Sequence, residues 1–126
     1  MSDITPRVPV GAKLIQAYGD GGFRVSGERY KGSRIITPGK VLAWPVVRFE
    51  EVDGEALLDI LAEEGGVELL LFGTGMALRP LPEALRAGLA DRGIAAEVMD
   101  TGAACRTFNV LLAEGRQVAA ALIAVD

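Results

Sequence analysis

The chain has 126 residues, of which 50% are apolar and 24% are charged, as in an ordinary single domain with its own core. Its net charge is −4 and its basic residues are scattered, which excludes the concentrated basic surface typical of nucleic-acid binding. With no histidine and one cysteine, it also lacks the residues for Ser-His-Asp or Cys-His catalysis and for zinc sites built from histidine and cysteine. We therefore expect no catalytic residue set, no metal and no cofactor.

The first residues, Met1–Pro6, lack the charged and apolar regions of a signal peptide, and the apolar runs are too short to cross a bilayer. The sequence therefore predicts a cytoplasmic protein that is not embedded in a membrane, folded as a single domain over residues 1–126. Residues 1–12 are expected to be extended or irregular. No pattern in the sequence specifies an oligomeric state.

The first half of the chain consists of short β-branched or aromatic segments separated by glycine, which predicts an antiparallel meander from residue 13 to residue 49. Tight turns are predicted at Gly19–Gly22, at Ser26–Gly27 and at Pro38–Gly39. The predicted strands are Leu14–Tyr18, Phe23–Val25, Glu28–Tyr30, Arg34–Ile36 and Val46–Phe49.

The second half alternates helical and strand patterns. The predicted helices are Asp53–Glu64, Pro82–Arg92 and Gly102–Glu114, and the predicted strands are Val67–Phe72, Ile94–Met99 and Gln117–Val125. Because crossovers between parallel strands are right-handed, we expect the helices to lie together on one face of a mixed, partly parallel sheet, with the meander on the other. This predicts the α/β class, with three layers in the order β/β/α.

Two glycine turns, Gly73–Thr74–Gly75 and Asp100–Thr101–Gly102, each follow a predicted parallel strand. If these strands are neighbours, both turns open on the carboxyl edge of the sheet, where backbone N–H groups and a helix N-terminus can bind a small anion. In the structural alternative, glycine permits tight turns and Asp100 or Thr101 caps the helix. The capping interpretation carries more weight, because neither tripeptide is a nucleotide-binding fingerprint.

The helix that follows has a polar arc beside its apolar face, made by Cys105, Arg106 and Asn109. Arginine in the first turn of a helix is unfavourable for the helix dipole, so its presence indicates an anionic partner. That partner is either an internal carboxylate, Asp100 or Glu97, or a bound ligand. The internal pair is slightly favoured.

The single cysteine, Cys105, has two interpretations. The helix dipole and Arg106 would stabilise a thiolate, which would suit a nucleophile or a redox sensor. Against this, a lone cysteine beside Ala104 and Phe108 is more often a small buried apolar residue, and no histidine is present to act as its base. The buried interpretation is preferred.

Taken together, Gly73–Gly75 and Met99–Leu111 resemble a small-domain family of unknown function, the Mth938-like family. This family includes a mitochondrial assembly factor for respiratory complex I and an animal protein associated with adipogenesis. The likeness extends over nearly the whole chain and includes Tyr18–Phe23, Tyr30–Ser33 and Trp44.

The resemblance implies a three-layer β/β/α domain with no established catalytic activity. It also implies a bacterial single-domain member, since the mitochondrial relatives carry import extensions and act by binding proteins during assembly of a membrane complex. The leading hypothesis is a non-catalytic binding or assembly module whose surface lies around Gly73–Gly75 and Thr101–Asn109. Its partner would be a protein or a small anionic ligand. The alternative is a small-molecule enzyme or thiol sensor that uses Cys105.

Overall fold

The computed structural model describes residues 13–126, so the predicted irregular segment at residues 1–12 lies outside the described residues. The described chain forms eight β-strands and three α-helices. The strands are β1 Ile15–Gly19, β2 Gly22–Val25, β3 Glu28–Lys31, β4 Arg34–Ile36, β5 Val41–Ala43, β6 Leu69–Gly73, β7 Ala95–Met99 and β8 Val118–Leu122. The helices are α1 Gly54–Glu64, α2 Glu83–Asp91 and α3 Thr101–Ala113.

The first three strands form an antiparallel sheet in the order β1-β2-β3. The turns between them have positive φ at both central residues: 52° and 77° at Asp20 and Gly21, and 48° and 84° at Ser26 and Gly27. Such turns match the right-handed twist of the strands that they join. The hairpin predicted at Ser26–Gly27 is therefore confirmed.

The remaining strands form a mixed sheet in the order β5-β4-β8-β6-β7, in which β6 is parallel to both β7 and β8. The predicted meander is thus divided, because β4 pairs with β8 instead of continuing the first sheet. The two sheets confirm the predicted α/β class and its antiparallel and mixed, partly parallel parts.

The predicted strand Val46–Phe49 is wrong. The turn at Pro38–Gly39 returns the chain along β4 earlier than expected, so that Val41 pairs with Ile36 and the strand lies at Val41–Ala43. The carboxylate of Glu51 then accepts hydrogen bonds from the N–H groups of Val47 and Arg48, at 2.9 and 2.7 Å. These bonds accompany a short 3-10 helical turn at Phe49–Glu51 in place of a strand.

Placing all three helices on one face of the sheet was also wrong. Helices α1 and α2 share one core with Leu70 and Phe72, whereas α3 and the three-stranded sheet share the opposite core with Leu69 and Leu71. The connection from β6 to β7 runs towards the β7 edge of the sheet. The connection from β7 to β8 runs in the opposite direction and passes over β6. Right-handed crossovers in opposite directions require helices on opposite faces.

The central strands are buried on both sides, as the continuous apolar run of β6 predicts. Strand β8 contributes Ala119, Ala120 and Ala121, whose small side chains allow both covering layers to approach the sheet closely. Trp44 packs edge-on against Phe72, with ring centroids 5.7 Å apart. Within residues 13–126, no helix is long and apolar enough to cross a membrane.

Candidate functional site

The two glycine turns lie side by side at the carboxyl edge of the mixed sheet. Gly73, the last residue of β6, pairs with Met99 on one side and with Leu122 on the other. Three parallel strands therefore end together, and α3 begins directly after β7. The structure thus brings Gly73–Gly75 and Asp100–Gly102 to one place.

Thr101 connects these strand ends and is fully buried. Its Oγ1 donates to the carbonyl of Ile123 at 2.7 Å and accepts from the N–H of Gly75 at 2.9 Å. Its own N–H donates to the Gly75 carbonyl at 2.9 Å. A Cβ at Gly73 would lie only 3.0 Å from the Thr101 Cα, so a side chain at position 73 would force this tight junction to shift by a few tenths of an ångström.

Thr74 organises the loop that follows β6. Its N–H donates to the Met99 carbonyl at 3.0 Å, and its Oγ1 donates to the Ala77 carbonyl at 2.7 Å. The same Oγ1 accepts from the N–H of Arg79 at 3.1 Å. This side chain therefore fixes the course of residues 74–79.

Asp100 is the N-cap of α3, since its Oδ1 accepts from the N–H of Ala103 at 2.9 Å. The capping role predicted for this residue is confirmed. The N–H groups of Thr74, Gly75 and Thr101 likewise donate to protein oxygens. These four donors, which an anion between the turns would use, are thus already occupied, which favours the structural interpretation of both turns.

Arg106 has a different partner from the one predicted. Its Nη1 donates to the Tyr18 hydroxyl at 2.9 Å, and within residues 13–126 it forms no ion pair with Asp100 or Glu97. The Tyr18 ring covers the first turn of α3, where a Cβ at Gly102 would lie 2.6 Å from the hydroxyl oxygen. Tyr18 was not among the predicted site residues, because it lies 88 positions from Arg106 on another element.

Asn109 binds the edge of the three-stranded sheet. Its Oδ1 accepts from the N–H of Ile15 at 2.9 Å, and its Nδ2 donates to the carbonyl of the same residue at 2.6 Å. The amide thus supplies the donor and acceptor that a neighbouring strand would offer to β1. This residue attaches the sheet to α3.

Cys105 is only 2% exposed and belongs to the core under the three-stranded sheet. Its assignment to the polar arc was wrong, because the sheet packs over this part of the helix and the helical pattern alone does not show it. Burial raises the pKa of the thiol to about 12, against the opposing effect of the Arg106 charge. The thiol is therefore neutral at physiological pH, and this environment gives no support to the thiol-based alternative.

A groove that the sequence analysis missed lies beside Thr74 and Gly75. Its volume is about 380 Å³, and its lining includes Val47, Arg48 and Met76. We call it the carboxyl-edge groove. Val47 and Met76 are 77% and 79% exposed, and Leu78 on the same loop is 65% exposed. The presence of Met76 and Leu78 in a loop bounded by Gly75 and Pro80 was the available sequence signal.

Arg79 also lines this groove and is held in place from two sides. Its Nη2 lies 3.0 Å from a carboxylate oxygen of Glu50, and its guanidinium lies 4.8 Å from the centre of the Phe49 ring. A hydrogen bond from its own backbone N–H and the contact with Arg79 lower the pKa of the Glu50 carboxyl. These two contacts place the Arg79 guanidinium at one side of the groove.

A second, larger groove of about 560 Å³ lies between α1 and α2. Two of its polar residues have bonds within the domain: Asp53 caps α1 by accepting from the N–H of Ala56, and Arg92 donates to the Gly88 carbonyl. It contains none of the candidate site residues predicted from the sequence.

Residues 15–123 match the family described as "Protein of unknown function (DUF498/DUF598)". The chain belongs to this family. This DUF498/DUF598 domain is 40% identical over 122 residues to an uncharacterised protein of Rhodobacter capsulatus, covering 95% of this chain and 93% of that protein. It resembles the solution structure of a Bordetella pertussis protein described as an Mth938-like domain, with a TM-score of 0.81 and 32% identity, over 98% of this chain and 92% of that one. The predicted family resemblance is confirmed.

A further relative of this DUF498/DUF598 domain carries a functional name. The bovine protein named NADH dehydrogenase [ubiquinone] 1 alpha subcomplex assembly factor 3 is 40% identical over 113 residues, which are 89% of this chain. The chain spans 61% of the length of that relative.

Proposed function

We propose that this chain is a non-catalytic, assembly-factor-like module that binds a partner protein through the carboxyl-edge groove. The observation that carries the proposal is the exposure of Val47 and Met76, which both line one groove, with exposed Leu78 on the same loop as Met76. Large apolar side chains grouped on a surface are typical of protein interfaces, and methionine adapts readily to different partner surfaces. This shifts the proposed surface from the region around Gly73–Gly75 and Thr101–Asn109 to the groove beside Thr74 and Gly75.

The ordered surroundings of the groove support the same proposal. The bonds of Thr74 fix the loop that carries Met76, and Glu50 with Phe49 fixes Arg79. A surface that is ordered in the free protein loses less conformational entropy when its partner binds. The partner would bury the apolar residues and leave Arg79 at the polar rim.

The name of the bovine relative suggests the class of partner to test. We propose subunits of a NADH dehydrogenase from the same cell, bound in the cytoplasm before the enzyme is complete. This protein interaction takes precedence over the small-anion site, because the N–H groups of Gly75 and Thr101 already have partners.

The test compares Met76→Glu with the matched control Val110→Glu. Val110 is 52% exposed on α3 and does not line the groove, so both variants place a carboxylate on an exposed apolar site. Loss of an interface hot spot costs about 2 kcal/mol, or roughly thirtyfold in affinity. We expect Met76→Glu to lose co-purification with NADH dehydrogenase subunits and Val110→Glu to retain it.

The measurement is quantitative co-purification from cells that carry each variant, together with the amount of assembled NADH dehydrogenase. Equal recovery with both variants would place the interface elsewhere. An unchanged amount of assembled enzyme after removal of the gene would contradict the assembly role.

A further inference from the structure

The basic residues are scattered along the chain, but the fold brings three of them together on the outer face of the three-stranded sheet. In the β2-β3 register, Arg24 lies directly opposite Arg29, while Phe23 and Val25 on the other face are buried. Since side chains alternate along a strand, Lys31 shares the face of Arg29. All three cations are exposed. We call Arg24, Arg29 and Lys31 the basic face; none of them lines the carboxyl-edge groove.

These charges are not neutralised within the part of the chain that the structure describes. The ion pairs there join Lys40 to Glu64 and Arg79 to Glu50. Like charges directly opposite each other on neighbouring strands are destabilising. The chain has 17 acidic and 13 basic residues, so the placement of Arg24 opposite Arg29 does not reflect a shortage of acidic residues. An acidic partner would relieve this repulsion.

Arg29 is already oriented for such a partner. Its Nη2 donates to the carbonyls of Gly19 and Asp20, at 2.9 Å each, which leaves its other N–H groups available for a carboxylate. Its neighbours on the face are small, with Ala17 opposite Arg24 and Gly22 opposite Lys31. A flat surface with cations and small residues suits charged contacts better than insertion of apolar groups into a lipid layer.

We propose that the basic face binds an acidic, extended segment of a partner protein. Alternate residues of an extended segment lie about 7 Å apart on one side, which allows successive carboxylates to reach neighbouring strands of this sheet. Arg24 can bind a carboxylate through paired, charge-assisted hydrogen bonds, whereas Arg29, whose Nη2 hydrogens already donate to backbone carbonyls, offers single bonds from Nη1 and Nε. This surface is separate from the carboxyl-edge groove, so a negative result for one of the two proposals leaves the other unaffected.

The test uses a fluorescent peptide of alternating glutamate and serine, with a glutamine version as the probe control, and fluorescence anisotropy at low ionic strength. We expect saturable binding of the glutamate peptide alone, weakened by added salt because exposed charges are screened. Arg24→Gln/Arg29→Gln should bind about tenfold more weakly, since each exposed pair contributes modestly. Arg24→Gln/Lys31→Gln, which leaves the backbone bonds of Arg29 intact, should show a similar loss.

The matched control is Arg86→Gln/Arg116→Gln, which removes the same charge from exposed positions outside the three-stranded sheet and should retain wild-type affinity within about twofold. Equal weakening in this control would show that net charge alone drives binding and would overturn the proposal. So would the absence of saturable binding, or tighter binding to anionic lipid vesicles or RNA than to the peptide.

Discussion

At the scale of single residues, Cys105 shows two opposed effects on one thiol. The nearby Arg106 charge favours the thiolate, as the sequence suggests, but burial favours the neutral thiol and dominates, so the pKa rises to about 12. The effect of the local charge was predictable from neighbouring residues in the sequence. The burial was not, because the sheet that covers this turn of α3 is formed by residues more than 70 positions earlier.

This pKa gives a pH-dependent contribution to stability. The folded state keeps the thiol protonated above its ordinary value of 9.0, so the contribution is complete below pH 9 and is lost as pH rises towards 12. The difference between the unfolding free energies of the wild type and Cys105→Ala should therefore change by about 1.4 kcal/mol per pH unit between pH 9 and pH 12, with the wild type losing stability. Urea unfolding of both proteins from neutral pH to about pH 11 measures this difference. A constant difference across the range would contradict the raised pKa.

At the scale of elements, caps and short turns were predictable because their signals are local. Asp100 caps α3, and Ser26–Gly27 forms a hairpin, within a few residues of the positions that determine them. The contact between α3 and β1 was not predictable in this way. It joins Asn109 to Ile15 across 94 positions, and no periodic pattern identifies such a pair.

The Asn109 amide should contribute to global stability through its two bonds with Ile15. Asn109→Ala leaves a partly buried backbone N–H and carbonyl unpaired, so we expect a loss of about 1–3 kcal/mol of unfolding free energy. Val110→Ala, at the next and exposed position, should change it by less than about 0.5 kcal/mol. Thermal or urea unfolding compares the two variants.

Hydrogen exchange gives an independent check of this attachment. In Asn109→Ala, amide protons of β1 should exchange faster, whereas those of β6 should keep most of their protection because they lie in the central sheet. Equal stability of Asn109→Ala and Val110→Ala would show that the amide does not hold the sheet against α3.

At the scale of the whole molecule, the class and most elements follow from the sequence, but their arrangement depends on strand order. The pattern of a strand shows which of its residues are apolar, but it does not show which other strand lies beside it in the sheet. The division of the predicted meander and the opposite placement of α3 both follow from the position of β8 between β4 and β6. The carboxyl-edge groove was not predicted for a related reason, since Val47 and Met76 are brought to the same groove only by the assembled sheet.

The central position of β8 also constrains how the domain folds. Strands β4 and β6 precede β8 in the chain, yet each completes its hydrogen bonding in the mixed sheet only when β8 enters between them. Until then both strands present bare edges, which are sites for aggregation with other chains. A chain that ends before residues 118–122 would therefore keep the β4 and β6 edges unpaired, and we expect it to aggregate more readily than the full chain.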